Sequence, residues 1–173
     1  MKTILKIFAI VLIPVIIVGL FLDNRVNVTR QIEINASPGA IHRYVADLEQ
    51  WPKWSPWLDL DPTIKTTIGN LSSGVGASQS WVGQSGAGAL TIIYADESDG
   101  ITYNLTFDGD PVVYLAGMRY TSDGQKTIVT WYMKGEMQPI IVGNYFAQLM
   151  DSFVGEDFAN GLTKLKKVVE ARR

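Results

Sequence analysis

Residues 140–171 read IIVGNYFAQLMDSFVGEDFANGLTKLKKVVEA, and this stretch decides the fold. Its apolar side chains recur at the three- and four-residue spacing of a long helix with an apolar face. They are Tyr145, Phe146, Leu149, Met150, Phe153, Val154, Phe158, Leu162, Leu165 and Val169. Gly143, Gly155 and Gly161 permit either close approach of a neighbouring element or a break in the helix. A helix with such a face needs a partner to cover it.

Short runs of alternating apolar and polar residues precede this helix and predict that partner. The first run is Arg25 to Ala36, and further runs lie near residues 63–68, 77–82, 90–95, 101–107, 112–120 and 126–137. Glycine- and aspartate-rich turns separate the runs, which is typical of an antiparallel meander. The glycine-containing loop 83–88 lies between two such runs, so it predicts a hairpin rather than a phosphate-binding loop.

The alternation also indicates which strand faces should be covered by the helix. One face of the run near 101–107 carries Ile101, Tyr103, Leu105 and Phe107, and one face of the last run carries Val129, Trp131 and Met133. Glu136 falls on the face opposite Trp131, which predicts an outward position. Arg119 has no clear parity, so both an inward and an outward position remain open.

A short helix and a tryptophan-rich segment follow the first strand. Ser37-Pro38 is typical of a helix start, and Ile41, Tyr44, Val45 and Leu48 form an apolar stripe after it. Residues 51–57 read WPKWSPW, which places three tryptophans in seven residues. We expect this segment to close one end of the core as a hydrophobic plug. A membrane-interface contact and the rim of a ligand pocket are the alternatives.

The N-terminal segment is the longest apolar run in the chain. Residues 4–22 read ILKIFAIVLIPVIIVGLFL, with Lys6 as the only charge. A helix of this length spans roughly 28 Å, about the hydrocarbon thickness of a bilayer. We therefore expect residues 1–24 to be an uncleaved transmembrane anchor and residues 25–173 to form one domain. A cleaved signal peptide and a buried core helix are the alternatives, and the bulky residues at 18–22 disfavour signal cleavage.

Charge bears on topology and on partners. Lys2 and Lys6 lie before the uninterrupted part of the apolar run, which favours an N-terminus inside the cytoplasm and a domain outside it.

The formal net charge is −2 and basic residues are scattered, so nucleic acid binding is not expected. The one basic cluster comprises Lys164, Lys166, Lys167, Arg172 and Arg173. It fits the solvated end of a helix, with contact to anionic lipid as the alternative.

The sequence contains no strong catalytic or metal-binding motif. There is no cysteine and a single histidine, His42, which the helical spacing directs to solvent. A zinc site built from such ligands or a serine–histidine–carboxylate triad is therefore not expected. Asp59 and Asp61 lie in a proline-rich loop and are interpreted as solvated, with binding of a cation as the alternative. We assign no catalytic residue, no metal ligand and no cofactor.

The order of strand, short helices, six strands and long helix resembles the START-like (SRPBCC) superfamily. Within it, the chain is similar to the bacterial polyketide cyclase/dehydrase-like proteins over about residues 26–171. The resemblance is carried by these segments: INASP at 34–38, DLEQWPKWSPW at 47–57, GVG at 74–76 before Trp81, TIVTW at 127–131 and GEDFANGLTKLK at 155–166. The motifs are more specific for the fold than for any activity.

This resemblance implies an α+β helix-grip fold, in which a curved antiparallel sheet grips the long C-terminal helix around an apolar cavity. The resemblance also implies binding of a hydrophobic small molecule or lipid. We expect the lining to comprise Trp81, Tyr103, Leu105, Trp131, Met133, Tyr145, Phe146, Leu149 and Phe153, with Arg119 as a candidate polar contact. A solid core without a ligand is the alternative interpretation of the same residues.

Combined with the apolar N-terminal segment, the resemblance predicts a binding module anchored in a membrane, with the bacterial inner membrane as its expected location. The alternative is a polyketide cyclase/dehydrase-like enzyme in which Tyr103, Tyr114 or Arg119 acts in the same cavity. An interaction role without any ligand is a third hypothesis. Binding is favoured because the sequence lacks a catalytic constellation.

Overall fold

The computed structural model describes residues 2–171, and the side chains of residues 2–9 and 11 lie outside that description. The helices are α1 (Lys2–Phe21), α2 (Pro38–Val45), a 3-10 helix (Leu48–Lys53), α3 (Trp57–Leu60) and α4 (Val142–Glu170). The strands are β1 (Arg25–Ile34), β2 (Lys65–Ile68), β3 (Ser78–Gly83), β4 (Gly86–Asp96), β5 (Gly100–Phe107), β6 (Val113–Ser122) and β7 (Thr127–Glu136).

The strands form one seven-stranded antiparallel sheet in the order β1-β7-β6-β5-β4-β3-β2. Strands β2 to β6 each pair with the next strand in sequence, and β1 pairs along its whole length with β7. The predicted meander is therefore confirmed. The loop after β3 is the predicted hairpin, because Gly83 pairs with Gly86 across a two-residue turn.

Helix α4 lies across the sheet and approaches it closely at two glycines. A Cβ atom on Gly161 would lie 2.7 Å from the Trp131 ring, and one on Gly155 would lie 2.0 Å from the Arg30 guanidinium. The helix is continuous from Val142 to Glu170, so these glycines allow close approach and do not break it. The predicted inward face of β7 is confirmed, since Val129, Trp131 and Met133 are all buried. The outward prediction for Glu136 is confirmed as well.

Two of the three clustered tryptophans plug the core, as predicted. Trp51 and Trp54 are buried, and their indole nitrogens donate to the backbone carbonyls of Val45 and Tyr44, both at 2.9 Å. These hydrogen bonds satisfy the polar edge of each ring inside the core. Trp57, the third, is half-buried and has a different role described below.

Helix α1 packs against the start of α4 through a small set of polar contacts. The Asn144 side-chain amide donates to the backbone carbonyls of Gly19 (2.7 Å) and Leu22 (2.9 Å), where α1 ends. The Tyr145 hydroxyl donates to the Val15 carbonyl at 2.7 Å. Gly19 allows this approach, because a Cβ there would lie 2.9 Å from the Tyr145 ring. Over the part of the chain whose side chains are described, no helix meets the combined length and hydropathy of a membrane span.

The predicted basic cluster near the C-terminus is partly engaged with other elements. Lys164 Nζ contacts Asp59 Oδ2 at 2.7 Å, and Lys166 Nζ donates to the Glu33 carbonyl at 2.8 Å. These two lysines therefore tie α4 to α3 and β1 instead of lying free in solvent. Arg172 and Arg173 fall outside the described residues.

A candidate ligand cavity

A cavity of about 440 Å³ lies between the sheet and the elements that cover it. Strands β2 to β5 and β7 form one wall, and the tryptophan segment, α3 and α4 form the other. Most of the lining is apolar, and its larger apolar side chains are Trp51, Trp57, Leu58, Leu60, Ile64, Trp81, Leu90, Tyr103, Leu105, Phe107, Trp131, Met133, Val154 and Phe158. The volume falls within the range of about 300–1,000 Å³ that is usual for small-molecule sites.

All five residues expected from the sheet lie in this wall: Trp81, Tyr103, Leu105, Trp131 and Met133. Strand alternation is sufficient to place them, because one face of each strand turns toward α4. Trp57 also lines the cavity, so the tryptophan segment both plugs the core and forms part of the pocket rim. Whether these residues bind a ligand stays a prediction.

The four residues expected from the helix lie elsewhere, which corrects the predicted lining. Tyr145 contacts α1, while Phe146, Leu149 and Phe153 are 54%, 47% and 64% exposed. The sheet instead meets a different stripe of α4, which includes the buried residues Gly143, Ala147, Gly155, Phe158, Leu162 and Leu165. The first half of α4 carries two apolar stripes, and periodicity alone cannot tell which of them faces the sheet.

Aromatic contacts hold the deep wall of the cavity in place. The Trp131 ring stacks on Phe158 with centroids 4.1 Å apart, and Trp54 meets it edge-on at 5.5 Å. Trp131 Nε1 donates to the Tyr103 hydroxyl at 3.0 Å. Burial raises the pKa of Tyr103, so this hydroxyl stays neutral at ordinary pH. The ring positions are therefore specified by both packing and a hydrogen bond.

Asp61 is a structural clamp at the cavity edge and not the solvated loop residue that we expected. It is buried, and each of its two carboxylate oxygens accepts two hydrogen bonds. The donors are the backbone N–H and hydroxyl of Thr63 and of Ser85. Hydrogen bonds from these groups hold the pKa of Asp61 well below its usual range. The clamp joins the loop before β2 to the β3–β4 hairpin.

Asp157 is the functional candidate that the sequence interpretation missed. It lies on the α4 wall of the cavity beside Phe158 and is half-buried. Burial raises its pKa, and the neighbouring charge of Glu156 adds to the effect. The sequence feature that could have identified Asp157 is its position within one helical turn of Val154 and Phe158. Both of these residues belong to the apolar face of the helix.

Arg119 does not approach the cavity. It is exposed on the outer face of the sheet, where its guanidinium lies 5.8 Å from the centroid of the Tyr132 ring. The candidate polar contact at Arg119 is therefore misplaced, and the inward alternative is wrong. Tyr114 is buried but outside the lining, and its hydroxyl donates to Asp110 at 2.8 Å. The groups considered for catalysis, Tyr103, Tyr114 and Arg119, do not converge.

His42 is not fully directed to solvent, contrary to the expectation from helical spacing. It is half-buried, and its ring meets Tyr120 edge-on at 6.1 Å. Burial lowers the pKa of His42. Its Nδ1 atom is buried without a hydrogen-bond partner among the described residues. The His42 side chain therefore lies beside the core and is not part of the cavity lining.

A larger depression of about 630 Å³ runs along β1, β6 and β7. Exposed side chains, including Arg25, Lys134 and Glu136, form much of its wall. It is shallow and open to solvent, so it lacks the enclosed apolar wall that typifies a small-molecule site. The cavity beneath α4 is the better candidate.

A family model described as "Polyketide cyclase / dehydrase and lipid transport" matches residues 25–170 of the chain. No curated protein is similar enough in sequence to count as a relative. Among solved structures, a Thermobifida fusca protein is 20% identical with a TM-score of 0.64, over 83% of this chain and 92% of that one.

Two other structures extend the comparison of the fold. A point mutant of Thalictrum flavum norcoclaurine synthase, solved with a transition-state analogue, is 16% identical with a TM-score of 0.62, over 86% of this chain and 96% of that one. A Thermus thermophilus protein is 16% identical with a TM-score of 0.60, over 84% of this chain and 98% of that one. At these identities the likeness concerns the fold alone.

Proposed function

Because the chain belongs to the polyketide cyclase / dehydrase and lipid transport family, we propose that it binds an apolar small molecule or lipid in the cavity beneath α4. The observation that carries the proposal is the cavity itself, which holds about 440 Å³ behind a mostly apolar wall. Burial of an apolar ligand there gains roughly 25 cal/mol for each Å² removed from water. A packed core without space for a ligand would leave no such volume.

We further propose that α1 holds this domain at a membrane. From residue 12 onward its apolar side chains point in several directions and are largely exposed, including Ile13 (55%), Ile17 (50%) and Leu20 (58%). A helix that is apolar all round belongs in a membrane or a large core. Among the described residues, α1 packs against the start of α4 and leaves most of its apolar surface uncovered. The apolar run at 4–22 has the length of a bilayer span.

The first half of α4 supports the same arrangement. Val142, Phe146, Leu149 and Phe153 follow helical spacing and form an exposed apolar stripe. The stripe starts at the α1 contact, and its last member, Phe153, lies about one turn before Asp157 on the cavity wall. In the proposed arrangement, the stripe lies against the membrane surface and gives a lipid-like ligand an apolar route to the cavity.

Ligand binding is tested by purifying the full-length protein from membranes in a mild detergent and recording native mass spectra. The expected result is an apolar molecule retained at one copy per chain. Repeated observation of only the ligand-free mass, including after incubation with a membrane lipid extract, would contradict the proposal. A Val154→Trp variant, which places an indole in the cavity wall, is expected to lose the bound molecule.

The proposed topology places the domain outside the cytoplasm at the bacterial inner membrane. The chain has no cysteine, so a single Gln125→Cys substitution in the exposed β6–β7 turn gives one labelling site. A membrane-impermeant maleimide is expected to label this variant in spheroplasts with an intact inner membrane. Labelling only after membrane disruption would place the domain in the cytoplasm, and the unsubstituted chain controls for background.

A further inference from the structure

The charged side chains that line the cavity share one sign. They are Asp61, Asp108 and Asp157, and no lysine, arginine or histidine belongs to the lining formed by the described residues. Thr66 and Gln79 add neutral hydrogen-bonding groups on the sheet side. A ligand that brings its own negative charge into this space would meet repulsion without a compensating cation.

Two of the three carboxylates are accounted for without a ligand. Asp61 is saturated by its four hydrogen bonds from Thr63 and Ser85. Asp108 is exposed in the turn after β5 and so keeps its contact with water. Neither carboxylate needs a partner from a bound molecule.

Asp157 differs from both. Its carboxylate has no hydrogen bond or ion pair with any of residues 2–171 for which side chains are described, although it is half-buried against Phe158. Two other carboxylates on or against α4 are paired: Asp151 with Arg30 at 2.7 Å, and Asp59 with Lys164 at 2.7 Å. A ligand that fills the cavity would displace the water that still contacts the Asp157 carboxylate. The ligand must then supply a hydrogen-bond donor to replace that water.

We infer that the ligand is an apolar molecule with a hydrogen-bond-donating, uncharged or cationic head group, an amine above all, and that Asp157 receives this group. The inference rests on the proposed function and narrows its ligand class. The Asp157 carboxylate also lowers the affinity for ligands with a carboxylate or phosphate head group. Binding such a ligand would bury two negative charges next to each other. Free fatty acids are therefore disfavoured.

The test measures binding of three ligands that share one ring system and differ in the head group. Isothermal titration of the full-length protein in a nonionic detergent uses 2-naphthylethylamine, 2-naphthylethanol and 2-naphthylacetate at neutral pH. We expect the amine to bind at least about tenfold more tightly than the carboxylate, with the alcohol between them; tenfold corresponds to about 1.4 kcal/mol.

Variants then assign the preference to Asp157. Asp157→Asn removes the charge and is expected to bring the affinities for amine and carboxylate within about threefold of each other. Glu156→Gln is the matched control, since it makes the same charge change at an exposed neighbouring position of α4 and is expected to keep the preference.

The outcomes separate this inference from the proposed function. Equal affinity of the unsubstituted protein for the three ligands, or a preference for the carboxylate, overturns the inference and leaves ligand binding intact. Loss of the preference in Glu156→Gln as well as in Asp157→Asn also overturns it. Failure of all three ligands to bind, together with native spectra that show only ligand-free protein, overturns both.

Discussion

Gly161→Ala should destabilise the protein although alanine is the better helix former. A Cβ at this position would lie 2.7 Å from Trp131 and 3.1 Å from Pro56, where contacts of about 3.5–4.0 Å are normal. Trp131 cannot easily move, because it stacks on Phe158 and donates to Tyr103. The added methyl group therefore forces α4 away from the sheet or the indole out of place.

The expected magnitude follows from two opposing effects. Overpacking a core position costs about 1–3 kcal/mol, and replacing glycine by alanine inside a helix gains about 1 kcal/mol. The net loss for Gly161→Ala is therefore about 1 kcal/mol, rising to about 2 kcal/mol if the hydrogen bond from Trp131 to Tyr103 breaks.

Gly155→Ala is the matched control on the same helix. The three atoms nearest to its added Cβ all belong to the guanidinium of Arg30, the closest at 2.0 Å, and this flexible side chain is 33% exposed. Displacing the Arg30 side chain weakens its partly exposed ion pair with Asp151, which is worth up to about 1 kcal/mol. The gain in helix propensity from glycine to alanine offsets this loss. We expect Gly155→Ala to lie within about 0.5 kcal/mol of the unsubstituted protein.

The assay is urea unfolding of the full-length protein in a mild detergent, followed by tryptophan fluorescence and by circular dichroism. The reasoning requires that Gly161→Ala unfolds at lower urea than Gly155→Ala. Equal midpoints, or a Gly161→Ala variant more stable than the unsubstituted protein, would refute the tight contact between α4 and Trp131.

Three further outcomes follow from individual side chains. Tyr114→Phe removes the hydrogen bond to Asp110 and should lower the free energy of unfolding by about 1–2 kcal/mol, measured by urea unfolding; no change would mean that this bond is not formed. The pKa of Asp61 is lowered on folding, so its stabilisation is present above the unfolded value of about 3.9 and is lost as the pH falls below it. Asp61→Asn, which loses part of the clamp to Ser85, should therefore show a shallower decline in melting temperature below pH 4, and an unchanged slope would count against the clamp. Arg119→Ala should leave ligand affinity unchanged in a titration, because Arg119 lies on the outer face; a tenfold loss would place it in the binding site.

Strand alternation and turn spacing were enough to predict the sheet and its inner face. Trp131 and Met133 occupy the side that parity assigned to them, because a period of two leaves only two choices for each strand. The glycines of α4 were predicted as sites of close approach or of a break. The choice between these needed the structure, in which Trp131 packs against Gly161.

The helix side of the cavity was harder to predict for a physical reason. Helical periodicity identifies apolar stripes, but it does not say which stripe faces the sheet when a second apolar surface, here that of α1, is nearby. Phe146 and Phe153 were therefore assigned to the cavity although they are exposed, whereas Asp157 was overlooked because a carboxylate does not match an apolar pattern. The clamp at Asp61 was missed because its partner Ser85 lies on a separate hairpin.

The most direct test of the central claim compares ligand binding by two tryptophan variants of α4. Val154→Trp fills the cavity wall, and Leu149→Trp makes a similar change at an exposed position outside the cavity. With 2-naphthylethanol as the titrant in calorimetry, we predict one site per chain, a loss of at least about tenfold in affinity for Val154→Trp, about 1.4 kcal/mol, and no change for Leu149→Trp. Undiminished binding by a folded Val154→Trp protein would contradict the claim that this cavity holds the ligand.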